Sequence, residues 1–339
     1  MLTQNEIARI AGLSRMTVYR YLTGKNVSAK SRKTLEEILA KTEYRPNLTA
    51  RSLVLKKTNL IGLLVPSVSY SFYPDIIQAI QKTIKNAGYN MMLTVSYEDP
   101  AQEKEEIDLL LSIPVDGIVI IPTSFPESER NCALLVKETP PFVMVDRYFS
   151  NINASHVATD SFTSSKDIVQ YLIDLGHRRI AHAGGPISNS FAKGVRDGYE
   201  AALKQNNIPV DNNLIFSGSM DGEDVAEILE QILAIEDRPT AIQAVNDINA
   251  IAIMEETKKK KIKIPKDLSL VGFSDIRTAR LLEVPLTTIK ERATLMGEEA
   301  ARILINKLKR KTKKKVSKLL EGELIIRQSS AAYAFQQKS

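Results

Sequence analysis

The chain has 339 residues, 43% of them hydrophobic, which is enough for a substantial packed core, and its single cysteine, Cys132, excludes an internal disulfide and a cysteine-based metal or redox site. Residues 1–60 carry 12 Lys and Arg against 4 acids, a net charge of +8, whereas the remaining 279 residues carry 34 against 36, a net charge of −2. A basic head on a near-neutral body predicts a polyanionic partner for the head alone.

Three short helices are predicted at the N-terminus, and apolar residues from all three can share one small core. The first two helices are joined by a turn at Gly12, a residue type that tolerates the left-handed conformation. Helix, glycine-containing turn and helix within 20 residues is the helix-turn-helix pattern. The helices are predicted over residues 4–11, 15–22 and 29–42, with Thr3, Ser14 and Ser28 as N-caps and with Ile7, Ala8, Ala11, Leu13, Val18, Leu22, Leu35, Ile38 and Leu39 in the core.

The second helix presents a polar face once its apolar residues are buried. Arg15, Met16, Tyr19 and Arg20 remain on that outer face. Two arginines on the second helix of such a motif suit the reading of base edges in the major groove of DNA. A three-helix protein–protein module is the alternative that this pattern leaves open.

A short segment follows the three helices. Asn47 is a suitable N-cap for about two helical turns that reach Leu53, a length too short to be stable in isolation. We therefore expect this segment to order only against a partner chain or DNA.

The rest of the chain alternates short apolar strands with amphipathic helices, which favours parallel sheets flanked by helices. Two such arrays, over about 60–160 and 161–290, predict two doubly wound lobes, and ligands of such folds bind at the carboxyl ends of the strands. Strands are predicted over 60–65, 91–95, 117–121, 142–145, 180–183, 214–216, 241–245 and 269–273, and helices over 75–87, 102–112, 161–175, 193–206, 222–235 and 250–260.

The ordered motifs of the first 60 residues resemble the head of the lactose-repressor (LacI/GalR) family of bacterial transcription regulators. The resemblance rests on residues 3–22, on Val27-Ser28 with Ser31-Arg32, on Tyr44-Arg45-Pro46-Asn47 and on Ala50-Arg51-Ser52-Leu53. It implies base contacts by Arg15, Met16 and Arg20, phosphate contacts by Ser14 and Thr17, and a hinge helix with Asn47, Ala50 and Arg51 whose Leu53 wedges into the minor groove. Tyr19 departs from the family, which usually has a small residue there.

The resemblance continues through the body of the chain. It is carried by Gly176-His177-Arg178-Arg179-Ile180, Asn246-Asp247, Pro265-Lys266-Asp267-Leu268-Ser269, Val271-Gly272-Phe273-Ser274-Asp275 and Pro285-Leu286-Thr287-Thr288. The implied class is α/β: an all-α helix-turn-helix head plus a two-lobed periplasmic-binding-protein-like core of doubly wound parallel sheets, with three strands crossing between lobes. The implied domains are a head over 1–45, a hinge over 46–58 and a core over 59–339, with lobe 1 at about 59–160 and 290–320 and lobe 2 at about 161–289 and 321–330.

The resemblance also implies an effector site in the cleft between the lobes. A guanidinium and carboxylates at a cleft can bracket the hydroxyls of a sugar through paired, directional hydrogen bonds. The chain has no tryptophan, which family pockets often contain, and Ser274 stands where the family usually has an aspartate, so the ligand stays open. The matching contacts are Asp146, Arg196, Asn246 and Asp275, and Ser71, Phe72, Tyr73 and Phe191 are candidate walls.

Two other function classes compete with a ligand-controlled DNA-binding repressor. A solute-binding receptor of the same core predicts a signal peptide and no basic head, yet Glu6 and Arg9 interrupt any apolar N-terminal stretch. An enzyme is disfavoured because the chain carries no dinucleotide, phosphate-loop or nucleophile-elbow motif. The expected partners are a near-palindromic DNA operator, a small effector of carbohydrate type and a second copy of the chain. We expect no cofactor, no metal site, no membrane segment and a cytoplasmic location.

Two lysine-rich runs stand apart from these motifs. The run at 258–261 lies at a predicted helix end, where cations suit the helix dipole. The stretch 307–318 holds eight basic residues, and we interpret it as a solvated loop or helix end, with a secondary polyanion contact as the alternative.

Overall fold

The computed structural model describes residues 3–22, 25–42, 57–137, 140–312 and 314–333. Three helices form its N-terminal unit. Glu6 donates its backbone N–H to Thr3 Oγ1 at 3.3 Å, and Thr3 donates its own to Glu6 Oε2 at 2.6 Å, which is the predicted capping box. Gly12 ends the first helix with φ of +61°. The helices are α1 (Gln4–Ala11), α2 (Arg15–Leu22) and α3 (Ala29–Lys41), so the three predicted helices are confirmed, the third ending one residue early.

The core of this unit is small and mostly as predicted. Tyr21 also packs against it, with the Arg32 guanidinium 5.6 Å from the centre of its ring. Ile38, which we expected in the core, is only half-buried and lies outside the cluster. The buried residues are Ile7, Ala8, Val18 and Leu35, and those packed against them include Ala11, Leu13, Leu22 and Leu39.

The chain divides into two compact units, Met1–Thr58 and Asn59–Ser339. The second unit has two lobes, and the first lobe is built on a six-stranded parallel sheet. Its strands lie in the order β11 (Ser317–Leu320), β5 (Ser155–Thr159), β4 (Phe142–Val145), β3 (Gly117–Ile120), β1 (Leu60–Val65) and β2 (Asn90–Val95). Its three central strands over 60–65, 117–120 and 142–145 are near-continuous apolar runs because helices cover both faces of the sheet there. The elements up to the first crossing are β1 (Leu60–Val65), α4 (Tyr73–Asn86), β2 (Asn90–Val95), α5 (Pro100–Ser112), β3 (Gly117–Ile120), α6 (Glu127–Lys137), β4 (Phe142–Val145) and β5 (Ser155–Thr159).

The second lobe holds a four-stranded parallel sheet of order β7-β6-β8-β9. Two of its helices, α7 and α8, pack closely, since a Cβ on Gly198 of α8 would lie 2.3 Å from the Phe162 carbonyl oxygen. The elements are α7 (Ser161–Asp174), β6 (Ile180–Gly184), α8 (Ser190–Gln205), β7 (Ile215–Ser217), α9 (Val225–Ala234), β8 (Ala241–Ala244), α10 (Asp247–Lys259) and β9 (Ser269–Val271).

Three segments cross between the lobes, as the resemblance predicted. The first joins β5 to α7, the second joins β10 to α11, and the third joins β11 to β12, which pairs antiparallel with β10. Helix α11 returns to the first lobe and lies so close to α4 that a Cβ on Gly297 would meet the Ile76 carbonyl oxygen at 2.6 Å. The last elements are β10 (Thr288–Lys290), α11 (Ala293–Arg310), β11 (Ser317–Leu320) and β12 (Glu323–Ile325).

Periodicity correctly predicted the eight strands from β1 to β4 and β6 to β9, with ends that differ by one or two residues. It did not predict β5, β10, β11 or β12, which are three to five residues long. Within the described parts of the chain, no helix combines the length and apolar character that a membrane crossing requires.

Candidate functional site

The outward face of α2 is the first candidate site. Arg15 and Arg20 are exposed, and Met16 is 63% exposed, a large value for an apolar side chain. Ser14 accepts a hydrogen bond from the Thr17 N–H at 3.1 Å, and the two hydroxyls lie 2.9 Å apart, so both fix the start of the helix. An exposed methionine between two arginines is a surface that suits base edges and phosphates.

Tyr19, the departure from the family pattern, is half-buried at the edge of this face. The Lys25 ammonium lies 5.9 Å from the centre of its ring, a cation–π distance that adds positive charge beside α2. The predicted hinge residues Asn47, Ala50, Arg51 and Leu53 lie outside the described residues.

The cleft between the lobes is the second candidate site, and it lies at the carboxyl ends of both sheets. Several non-glycine residues there have positive φ, among them Glu98 at 56°, Asp146 at 65°, Ser274 at 119° and Asp275 at 52°. Such conformations cost on the order of 1–3 kcal/mol each and concentrate at functional sites. Asp275 is further held by the Arg327 guanidinium, whose Nη2 donates to its Oδ1 at 2.6 Å.

Arg147 anchors the first-lobe wall of the cleft. Its guanidinium is buried and donates to the Tyr73 hydroxyl at 2.8 Å, to the Pro122 carbonyl at 2.9 Å and to Glu98 Oε2 at 3.1 Å. Asp146 Oδ2 lies 3.8 Å from its Nε. One buried cation therefore joins segments that follow several strands of the first sheet.

Three carboxyl groups are buried between the lobes. Burial raises the pKa of Asp146 to about 6, although Arg147 opposes the shift. Burial also raises the pKa of Asp247 to about 6 and that of Glu291 to about 8, and the charge of Asp146 adds to the shift of Glu291. Thr159 donates its hydroxyl to Glu291, and Thr288 donates to Asp247 at 2.6 Å. Desolvation and repulsion between neighbouring carboxylates therefore raise all three pKa values, and Glu291 is the one of the three whose pKa lies above neutral pH.

Two cavities flank the polar centre, and each is lined from both lobes. The Phe72 cavity has a volume of about 330 Å³ and is lined by Ser71, Phe72, Asp75, Ser274, Asp275, Ile276, Arg277, Lys290, Glu291, Arg292, Ala293, Thr294, Leu295 and Glu323. The Phe191 cavity has a volume of about 290 Å³ and is lined by Asp146, Tyr148, Ser150, Thr159, Asp160, Ser161, Phe162, Ser190, Phe191, Lys193, Gly194, Asp197 and Leu319. Both volumes lie near the lower end of the range for small-molecule sites.

Five of the eight predicted effector residues line the two cavities. Ser71, Phe72 and Asp275 line the Phe72 cavity, whereas Asp146 and Phe191 line the Phe191 cavity. Tyr73 lies behind the cavities, where its hydroxyl accepts from Arg147. The effector residues predicted from the sequence therefore include residues from both sides of one cleft.

Asn246 has both halves of its side-chain amide engaged within the second lobe. Its Oδ1 accepts from the Asn249 N–H at 2.8 Å, which caps α10, and its Nδ2 donates to the Met220 carbonyl at 2.8 Å. In this conformation the amide has a structural role.

Arg196 requires a correction, because the structure places it outside both cavities. Its Nε donates to Glu200 Oε1 at 3.1 Å along α8. Ser190, Lys193, Gly194 and Asp197 of the same helix line the Phe191 cavity at spacings of three and four residues. At 100° per residue, Arg196 is rotated by about 110° from that face. The helical phase therefore directs its side chain away from the cleft.

Sequence reasoning missed Glu98, Arg147, Thr159 and Glu291. Arg147 had a usable signal, since a charged pair follows a wholly apolar strand at Asp146-Arg147. Glu291 stands between Lys290 and Arg292, a setting typical of solvated surface, and its burial depends on the crossing segments.

His177, His182 and Cys132 have structural settings. His177 contacts Thr240 Oγ1 at 2.8 Å and the Ala331 carbonyl at 3.1 Å, and burial lowers the pKa of His182 to about 4 beside Gln243. Cys132 is buried, and burial raises its pKa. Within the described ranges, no three His, Cys, Asp or Glu side chains cluster in a way that could hold a metal ion.

Comparison with known proteins identifies the family. Residues 3–47 match the model of "Bacterial regulatory proteins, lacI family", and residues 169–330 match a periplasmic binding protein-like domain. The chain is 28% identical over 332 residues to the HTH-type transcriptional repressor PurR of Mannheimia succiniciproducens, covering 97% of this chain and 98% of the relative. It is 30% identical over 336 residues to the HTH-type transcriptional repressor CytR of Escherichia coli, covering 97% and 96%.

A solved structure supports the same assignment. The lac repressor dimer bound to operator and the anti-inducer ONPF superposes with a TM-score of 0.85 at 25% identity, over 98% of this chain and 99% of that one. These relatives are repressors rather than enzymes, in agreement with the prediction that the chain has no enzymatic activity. With 30% identity along nearly the whole of both chains, the chain belongs to the lacI family of bacterial regulatory proteins.

Proposed function

We propose that the chain is a DNA-binding transcriptional repressor whose affinity for its operator is controlled by a small neutral sugar in the interlobe cleft. The observation that carries the DNA-binding role is the exposed Arg15, Met16 and Arg20 face on the second helix of a helix-turn-helix. Membership of the lacI family supports the regulatory role. A solute-binding receptor without a gene-regulatory role does not account for this head.

Two copies of the chain would bind one near-palindromic operator. Each α2 would enter a major groove, and the two-fold symmetry of the protein would match that of the site. By resemblance, the hinge with Asn47, Ala50 and Arg51 would fold between the heads, and Leu53 would open the minor groove. Ser14, Thr17 and Tyr19 would border the phosphates.

Selection of duplexes from a random library by the purified full-length chain tests the DNA-binding role. We expect one near-palindromic sequence to be enriched. Arg15→Ala and Arg20→Ala should each weaken binding to it by about 5- to 150-fold, because a bidentate base contact contributes about 1–3 kcal/mol of discrimination.

Lys41→Ala is the matched control, since Lys41 is an exposed cation at the far end of α3. We expect it to change operator affinity by less than about threefold. No enriched sequence, or an equal loss for all three variants, would contradict the assignment of α2 as the reading helix.

We assign the effector to the Phe191 cavity. Phe191, Phe162 and Tyr148 supply aromatic walls, and carboxylates lie beside them, a combination that suits the apolar faces and hydroxyls of a sugar. Asp146, Asp160 and Asp197 outnumber the Lys193 cation in this lining, so a phosphorylated ligand is disfavoured. A ligand in the Phe72 cavity, on the opposite side of the cleft, would instead have Asp275 as its carboxylate contact.

A ligand in this cavity would couple the two lobes directly. Asp146 and Tyr148 belong to the first lobe, and Ser190 and Phe191 belong to the second. A ligand that binds both walls stabilises one lobe arrangement over another, and a coupling of about 1–3 kcal/mol to operator binding is the usual size.

A thermal-shift screen against monosaccharides, disaccharides, sugar phosphates, nucleosides and purine bases tests the effector assignment. We expect a neutral sugar to raise the unfolding midpoint by mass action and sugar phosphates to have little effect. Phe191→Ala and Asp146→Asn should each abolish the shift by that sugar.

Phe125→Ala is the control, because Phe125 is 47% exposed on a first-lobe loop and lines neither cavity. If Phe72→Ala removed the shift and Phe191→Ala kept it, the effector would belong in the Phe72 cavity. A midpoint that responds only to phosphorylated ligands would refute the neutral-sugar assignment.

A further inference from the structure

The C-terminal end of α11 and the turn after it carry a dense positive charge that the proposed function does not use. Residues 307–318 include eight Lys and Arg and no acid. Five of these cations are exposed, and none of the five forms an ion pair with any residue of the described ranges. The five are Lys309, Arg310, Lys311, Lys314 and Lys315, and we call them the basic edge.

The other lysine run in the chain behaves differently. Lys258, Lys259 and Lys260 at the end of α10 each lie within 3.0 Å of a carboxylate, from Glu283, Glu256 and Glu230 respectively. Charge neutralised in this way needs no external partner. The basic edge keeps its full charge, and repulsion among its cations is a cost that a polyanion would relieve.

The backbone of the basic edge is held in place. Lys307, which is buried, donates its Nζ to the Lys314 carbonyl at 2.8 Å and so closes the turn. Lys311 ends α11 in the left-handed conformation, at φ of +48°. The Val316 carbonyl then accepts from the His156 N–H at 3.0 Å, at the start of the pairing between β11 and β5. The exposed lysines therefore stand on a fixed frame rather than on a loose tail.

The position of the basic edge follows from the parallel sheet of the first lobe. All strands of a parallel sheet begin at the same end of the sheet. The turn that leads into β11 therefore lies at the end where β1 also begins. Asn59, the first residue of the second unit, is at this end and donates its N–H to Asp116 at 2.9 Å. Four strand spacings separate β11 from β1, about 19 Å. The polypeptide from the helix-turn-helix unit thus enters the core at the end that carries these cations.

We infer that the basic edge contacts the phosphate backbone of DNA that flanks the operator. This inference rests on the proposed operator binding by α2. A core tethered to a head that holds DNA meets that DNA at an effective concentration in the millimolar range, so contacts too weak to act alone become significant. Each phosphate contact releases condensed counterions, which makes the contribution independent of sequence and dependent on salt.

The test compares two duplexes that contain the selected operator, one of about 20 base pairs and one of about 60 base pairs with mixed flanks. The variant combines Lys309→Gln, Lys311→Gln, Lys314→Gln and Lys315→Gln in the full chain. We expect it to bind the short duplex within about twofold of wild type and the long duplex at least about tenfold more weakly. The slope of log K against log[salt] on the long duplex should become shallower by about 0.9 for each phosphate that the variant no longer neutralises.

The matched control removes the same charge elsewhere, through Lys258→Gln, Lys259→Gln, Lys260→Gln and Lys261→Gln. It should bind both duplexes as wild type does. For each protein, the result to compare is the ratio of its affinity for the long duplex to its affinity for the short duplex. If this ratio is the same for the basic-edge variant and for wild type, the inference is wrong. A variant that binds both duplexes more weakly by the same factor would give that result. Failure of the proposed function itself would look different, because wild type would then select no operator.

Discussion

Replacing Arg147 with methionine is expected to lower the stability of the core by about 3–5 kcal/mol, the usual cost of removing one partner from a buried ion pair. The reason is the set of groups that the guanidinium serves. Glu98, Asp146, the Tyr73 hydroxyl and the Pro122 carbonyl all lie against it. Methionine fills similar space but donates no hydrogen bond, so the buried Tyr73 hydroxyl and Pro122 carbonyl would each lose a donor, and the buried Asp146 would lose its counter-charge.

The measurement is the thermal midpoint of the core transition, followed by circular dichroism. A fall of roughly 6–15 °C is expected at pH 7, from the usual relation between stability and midpoint for a unit of this size. Arg302→Met is the control, because Arg302 pairs with Glu298 and Glu299 on the exposed face of α11 and surface pairs contribute about 0–1 kcal/mol. Equal shifts for the two variants would show that the Arg147 ion pair contributes no more than a surface pair.

The same variant separates a structural from a functional role for Arg147. The Asp146 carboxylate lies 3.8 Å from the Arg147 guanidinium, and Asp146 also lines the Phe191 cavity. If Arg147 positions Asp146, the folded Arg147→Met variant should also lose most of the midpoint shift that the sugar produces in wild type. Arg302→Met should keep that shift in full.

Local patterns predicted the parts of the fold that local chemistry determines. Thr3 with Glu6, Ser14 and Ser28 cap the three head helices because side-chain oxygens next to apolar runs satisfy the free N–H groups there. Strands such as β1, β3 and β4 are uninterrupted apolar runs because helices bury both of their faces.

Elements that depend on distant partners could not be predicted in this way. Ser155–Thr159, which forms β5, contains His156 and Thr159 and has no apolar run, and it becomes a strand because β4 and β11 pair with it on either side. Thr288–Lys290 is only three residues long and is a strand because β12 returns antiparallel to it. The pairings of β11 with β5 and of β12 with β10 join residues more than 30 positions apart and leave no local signature.

The candidate site shows the same division. Asp146, Phe191 and Asp275 line cavities of the cleft, and their position could be read from the sequence because they follow strands or begin a helix at the carboxyl ends of the strands. Arg196 was assigned by motif alone, and a phase difference of about 110° on α8 directs it elsewhere. Glu291 was missed because its burial requires three crossing segments to come together.

That burial of Glu291 leads to a second large effect, on the pH dependence of stability. In the folded chain its pKa is raised to about 8, whereas a glutamate in the unfolded chain titrates near 4.3. The folded state therefore binds this proton more tightly than the unfolded state does. The stabilising contribution is fully present below about pH 4.3 and is lost as the pH rises through about 8. Asp146 and Asp247 act in the same direction, and their contributions are lost as the pH rises through about 6.

Glu291→Gln should remove the largest part of this dependence. Glutamine has nearly the volume of the protonated acid and cannot ionise, so the variant should be more stable than wild type at pH 8.5 by about 5 kcal/mol, or roughly 10–15 °C in the core midpoint. At pH 5, where Glu291 is protonated in the folded chain, the two midpoints should agree within about 2 °C. The variant also removes one negative charge beside Asp146, which lowers the cost of ionising that second carboxyl group.

Glu323→Gln is the matched control, since Glu323 also lines the Phe72 cavity but is exposed to solvent. Its midpoint should follow that of wild type at every pH between 5 and 8.5. If Glu291→Gln did the same, the carboxyl group of Glu291 would have to be solvated or paired in the folded chain, and the polar centre between the lobes would be open to water. If instead the variant were destabilised at both pH values, the Thr159 hydroxyl would require a carboxylate as its acceptor, and the buried group would be an ionised anchor of the crossing segments rather than a protonated one.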